Sequence, residues 1–183
     1  MPYDSSGNWI APAGFEDYDQ QSLFQQTQSG GMSTIITDML QGYDYWDEFM
    51  TAYEAGDQTL TNPITGELYE GGVEGIGDFI AGYVTPFDAT TIDNIRSDAA
   101  TDKIRAREEM YAGSMQASKM AAKSGFSSGY ASSTRKANLW DEYLNTHRLI
   151  DSKKSSRIYE AKGDWLDDMF MEIAETWSMM YGE

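Results

Sequence analysis

Apolar side chains along this chain fall into short runs of helical period, separated by stretches rich in Gly, Ser and Gln. Ile35, Ile36, Met39, Leu40, Tyr43, Trp46, Phe49, Met50 and Tyr53 recur at steps of three and four. That spacing predicts a helix over 33–55, capped by Ser33 or Thr34, stopped at Gly56 and weakest at Gly42. Residues 88–124 read as one long helix, about 90–124 after its cap, interrupted by no residue stronger than Gly113. One stripe of it, Ala106, Met110, Gly113, Ala117, Met120 and Ser124, steps 4, 3, 4, 3, 4. Its small side chains allow a second helix to approach closely, so we take it as a subunit-packing seam.

A break at Ser124-Gly125-Phe126-Ser127-Ser128-Gly129 leads into a helix over about 132–161, whose apolar face carries Leu139, Trp140, Tyr143, Leu144, His147 and Ile150. The polar run Asp151–Ser156 interrupts that face. Gly163 then punctuates, Asp164 caps, and a last helix over 164–181 presents Trp165, Met169, Phe170, Ile173 and Trp177 on one side. This is the most amphipathic stretch of the chain.

The first 87 residues are less regular. Residues 1–31 mix Gly, Pro and Gln with the aromatics Trp9, Phe15 and Phe24, which predicts an arm that becomes ordered by anchoring those rings on a neighbour. Turn chemistry in Asn62-Pro63-Ile64-Thr65-Gly66-Glu67 predicts a small β-hairpin over 59–69. Gly71, Gly72, Gly75 and Gly77 read as a flexible connector before a short apolar segment over 78–84. The expected fold is mainly α: an acidic arm over 1–87 with a short helix and hairpin, then a helical bundle over 88–183. Removing the arm is expected to leave those helices folded.

Composition changes this picture in two ways. Of 183 residues none is Cys and one is His, so thiolate metal sites, disulfides and cysteine nucleophiles are excluded. Charge is strongly segregated. Residues 1–102 hold 18 acids and a single base, 103–162 hold 12 bases and 6 acids, and 163–183 hold 6 acids and no base. The expectation is that acidic arms meet basic helices, within or between subunits.

Candidate chemistry is thin. His147 sits at an apolar-face spacing, where a packing role outweighs a Ser-His-Asp triad. Carboxylate pairs such as Asp17/Asp19, Asp44/Asp47/Glu48 and Asp167/Asp168 are more simply solvated surface than a glycosidase acid and base. The glycines at 71–77 lack the GxxxxGK[ST] pattern and lie beside Glu70, Glu74 and Asp78, which repel phosphate. No EF-hand spacing occurs. No catalytic, cofactor or metal residue is assigned. No run is long enough for a membrane span, and the N-terminus lacks the basic and apolar regions of a secretory signal.

The segment Met110-Tyr111-Ala112-Gly113-Ser114-Met115-Gln116-Ala117-Ser118-Lys119-Met120-Ala121-Ala122-Lys123, with the Ser-Gly-Phe-Ser-Ser-Gly turn after it, resembles minor structural proteins of tailed-bacteriophage virions, of the internal-core, ejection or head and neck type. The resemblance covers roughly residues 90–160 and carries over no functional residue. It implies a non-enzymatic structural and assembly protein located in the virion, and in the host cytoplasm during assembly. The implied partners are copies of itself and other virion proteins, and nucleic acid through 103–162 is a weaker expectation. The alternative is an acidic nucleic-acid mimic or inhibitor, in which the carboxylates of residues 1–102 imitate phosphate spacing.

Overall fold

A computed structural model describes residues 3–11, 15–56, 59–63, 65–123 and 129–181, apart from the side chains of 44, 45 and 129–132. The protein is mainly helical: α1 (Gln20–Gln28), α2 (Met32–Leu40), α3 (Asp44–Glu54), α4 (Val73–Ala81), α5 (Ala89–Lys123) and α6 (Gly129–Tyr181). The chain divides into two compact units. Unit 1 comprises 1–87 with 162–183, and unit 2 comprises 88–161. Helix α6 contributes to both.

Several elements differ from the sequence expectations, each for a local reason. The start of the arm is folded. Tyr3 and Trp9 form an antiparallel bridge around a turn in which Asp4 accepts hydrogen bonds from the Ser6 and Asn8 backbone N–H groups at 2.8 and 2.9 Å. The Gln-rich stretch is helix α1. Asp19 caps it by accepting from the Ser22 N–H at 2.9 Å. Gly30, at φ 91°, ends it, with the Gly31 N–H reaching back to the Gln26 carbonyl at 3.0 Å. The helix expected over 33–55 is two, α2 and α3, parted at Gln41–Tyr43 around Gly42. The hairpin over 59–69 reduces to one isolated bridge, Thr61 with Leu68. Ile64 at its centre lies outside the described residues.

The glycine-rich connector is a correction of another kind. Gly71 and Gly72 have positive φ, but Gly75 and Gly77 lie inside α4. A Cβ at Gly77 would come within 2.6 Å of the Ser33 carbonyl oxygen and 2.8 Å of the Thr37 hydroxyl on α2. Gly77 is thus a helical position that lets α4 press against α2, while a Cβ at Gly75 would run into the Glu70 backbone carbonyl of the turn before α4.

The separate helices expected over 132–161 and 164–181 are the single helix α6. Asp151–Ser156 interrupts the apolar face without interrupting the backbone. Gly163 is buried in mid-helix, and a Cβ there would run into the Tyr3 hydroxyl and the Gln20 amide. Its function is to admit the arm, not to end a helix. The expected break at 124–128 lies outside the described residues.

Candidate interaction surface

The amphipathic face of 164–181 is used within its own unit. Leu166, Ile173 and Trp177 have no exposed surface, Met169 and Phe170 are buried, and Trp165 is half-buried. Its partners come from the first 87 residues. Phe170 meets Phe15 at a ring distance of 5.3 Å, Trp165 meets Phe24 at 5.6 Å, and Trp177 meets Trp46 at 5.3 Å and Phe49 at 5.8 Å. The arm anchors Phe15 and Phe24 are therefore docked on their own chain, and Trp9 packs at the edge of the same core. Helices over 88–183 cannot be parted from 1–87 without exposing this face, which reverses the expectation that the arm is dispensable.

A polar latch closes the edge of this core. Glu172 accepts from the Thr85 backbone N–H and hydroxyl, both at 2.7 Å, and Trp165 Nε1 donates to the Thr85 carbonyl at 2.9 Å. Tyr69 and Tyr181 bring their hydroxyls to 3.5 Å, and burial pushes both phenols above the ordinary tyrosine range.

In unit 2, α5 and the first part of α6 form an antiparallel hairpin. Asp98 pairs with Arg157, Lys103 with Asp151, Gly113 faces Leu139, and Met120 accepts from Arg135, so partners on α6 recede as α5 advances. The sequence-predicted seam faces α6. Ala106 and Ala117 are buried, Met110 and Gly113 half-buried, and Met120 exposed, while Ser124 lies outside the described residues. The small side chains bring the helices together as expected, but inside one chain.

Within the hairpin, several charges are paired locally. Asp151 is held by Lys103 at 2.8 Å and Lys154 at 3.0 Å, which lowers its carboxyl to about 2. Arg157 lies 3.2 Å from Asp98, and Arg96 and Arg105 lie 3.4 Å from Asp93 and Asp102. These cations are answered by acids of their own hairpin, while Lys162, the last base of the segment, donates to Gln21 of the arm at 2.8 Å. Drawn at the unit boundaries, unit 2 holds 12 bases and 10 acids, a net of +2, whereas unit 1 holds 20 acids and one base, a net of −19.

The remaining feature of unit 2 is apolar surface turned outward. Ile104, Tyr111 and Met115 are 60%, 51% and 62% exposed. At 100° per residue they form one stripe, about 180° around α5 from the buried Ile95, Ala106 and Ala117. Trp140 and Leu149 on α6 are 50% and 70% exposed. Sequence reasoning kept only the inner seam of α5. The signal it passed over was a second apolar set at steps of seven and four, on the opposite side of the same helix.

The other candidates gather no chemistry. His147 packs on the Tyr143 ring at 4.4 Å, and among the described residues no Ser or Asp hydrogen-bonds its buried Nε2. Asp17, Asp47, Glu48 and Asp168 are exposed, Asp167 is half-buried, Asp19 serves as the α1 cap, and the Asp44 side chain lies outside the described residues. Among the described residues no group of three or more His, Asp or Glu is placed to hold a metal ion, and no helix is long and apolar enough to cross a membrane. No protein-family model, curated protein or solved structure matches this chain.

Proposed function

We propose that this chain is a non-enzymatic structural subunit of a tailed-phage particle, acting by packing against neighbouring subunits in the virion. In this reading unit 1 is a self-contained folded body and the α5–α6 hairpin is the part that neighbours complete. The observation that carries it is the outward apolar stripe of Ile104, Tyr111 and Met115 on a hairpin whose interior, among the described residues, buries Ile95, Ala99, Ala106 and Ala117 alone. Exposed apolar patches of this kind mark association surfaces. The virion setting rests on the resemblance of residues 110–129 to minor virion proteins. Acidic–basic complementarity enters between subunits, where the −19 of unit 1 is available to cations of other chains. The test is mass spectrometry of particles purified through a density gradient from infected cells. The expected result is this chain at a fixed copy number per particle; its absence from intact particles overturns the proposal.

A second reading is favoured by one observation: unit 1 concentrates 20 carboxylates against a single base around an apolar core. A compact body so charged is suited to occupy a DNA-binding cleft in place of nucleic acid. Salt-sensitive competition with duplex DNA for a DNA-binding protein would support it. Failure to compete at low ionic strength would remove it.

A further inference from the structure

We infer that α5 pairs through its outer stripe with α5 of a second copy of this chain, antiparallel and about a two-fold axis. This deepens the structural-subunit reading and rests on it, by naming the partner of the hairpin.

The stripe has the spacing of a coiled-coil seam. Around the large residues Ile104, Tyr111 and Met115 it continues through Ser97 and Thr101 on one side and Ser118 and Ala122 on the other, all exposed. The steps from Ser97 to Ala122 alternate between three and four residues. In an antiparallel pair, each position of one kind faces its complement on the partner. One register satisfies every position: Ile104 lies opposite the partner's Met115, Thr101 opposite the partner's Ser118, Ser97 opposite the partner's Ala122, and Glu108 opposite the partner's Tyr111. Large residues then meet at the centre and small ones at both ends. Glu108, the one charged residue in the seam, faces a tyrosine hydroxyl that can donate to it.

Charge selects the same direction. The N-terminal third of α5 carries Asp93, Arg96 and Asp98, and its C-terminal third carries Lys119 and Lys123. Antiparallel pairing brings Asp98, which also pairs with Arg157 of its own chain, beside the partner's Lys119 on the seam's flank, twice by symmetry. Parallel pairing would set Asp98 across the seam from the partner's Asp93, a like-charge contact, and Lys119 from the partner's Ser114. The inner seam is already occupied by α6, so on α5 the outer face is open to a second chain.

The absence of cysteine makes the register directly testable in the full chain. Ser97→Cys and Ala122→Cys chains are made separately, then mixed and oxidised. The expected result is a disulfide-linked pair from the mixture and little from either chain alone. Within one helix the two positions are about 38 Å apart, so no internal bridge competes. Efficient cross-linking of Ser97→Cys with itself overturns the antiparallel register. Sedimentation equilibrium of the wild type should report twice the 20.5 kDa of one chain. Met115→Glu should keep its helix content by circular dichroism while weakening association at least about 30-fold. A wild-type chain that stays monomeric at about 100 µM overturns self-pairing. The structural-subunit reading would still stand or fall on the particle mass spectrum, so the two failures are separable.

Discussion

Units 1 and 2 are both helical, yet they use apolar side chains in opposite ways. Unit 1 gathers nineteen buried apolar residues into one core, from Phe15 to Met180, tied by the Trp46, Phe49 and Trp177 rings. Unit 2 buries Ile95 and three alanines, while Ile104, Tyr111, Met115, Trp140 and Leu149 face outward. A pair of helices has one line of contact, so a side chain away from that line has nothing in its own chain to cover it. Unit 1 escapes this because side chains of α1, α2, α3 and α4 join those at the end of α6 in one core. The lesson is that amphipathicity alone does not identify an interface: the strongest apolar face in the sequence is internal, and a weaker one is left open.

The largest effect expected from breaking this contrast is Trp177→Ala. Removing a fully buried indole should cost about 3–5 kcal/mol of stability, read by denaturant unfolding. Met115→Ala, by contrast, should lie within about 0.5 kcal/mol of wild type for the monomer. A cost for Met115→Ala as large as that for Trp177→Ala would erase the distinction between the units.

Paired glycine substitutions sharpen it. Gly77→Ala places a Cβ against the Ser33 backbone carbonyl, which cannot move aside cheaply. It should destabilise by about 1–3 kcal/mol even though alanine is the better helix former. Gly113→Ala meets only the tip of Leu139, at 3.2 Å, a flexible side chain. There the helical preference should win, giving a neutral change or a gain of up to about 1 kcal/mol. Thermal unfolding of the two variants side by side decides whether the tight packing belongs to unit 1 alone.

The parts of the fold that were legible in the sequence are those with a long clean period. The extent of α5 follows from unbroken spacing after Asp88, which accepts from the Thr90 N–H at 2.9 Å. The inward face of 165–181 follows from Trp165, Met169, Ile173 and Trp177. Helix α1 was hidden because two of its buried side chains, Gln20 and Thr27, are polar. Helix α4 was hidden because Gly75 and Gly77 lower helical propensity where close packing, on the Tyr69–Glu70 turn and on α2, leaves no room for a side chain. Gly163 misled for the same reason, since a glycine needed for approach reads the same as one needed for a stop. Charge misled differently. Lys103 and Arg157 found acids on their own hairpin, which a count by segment does not reveal.

The smallest expected effect is of pH. Lys103 and Lys154 hold Asp151 at about 2, below its ordinary value of 3.8. The contribution of this group to hairpin stability is therefore complete above about 4 and is lost as pH falls toward 2. A thermal unfolding series should show that acid-dependent loss diminished in Asp151→Asn, together with a slightly lower stability at neutral pH. An identical acid profile in the variant would remove Asp151 from the account.

The central claim is that unit 1 is complete in itself and the outer face of α5 is not. Hydrogen exchange of the full chain, followed from about 1 to about 100 µM, tests it most directly. The account predicts that amides of α5 between Ser97 and Ala122 gain protection as concentration rises, while those of α2, α4 and 165–181 stay equally protected throughout. Protection of α5 that is independent of concentration and as high as that of α2 would contradict it.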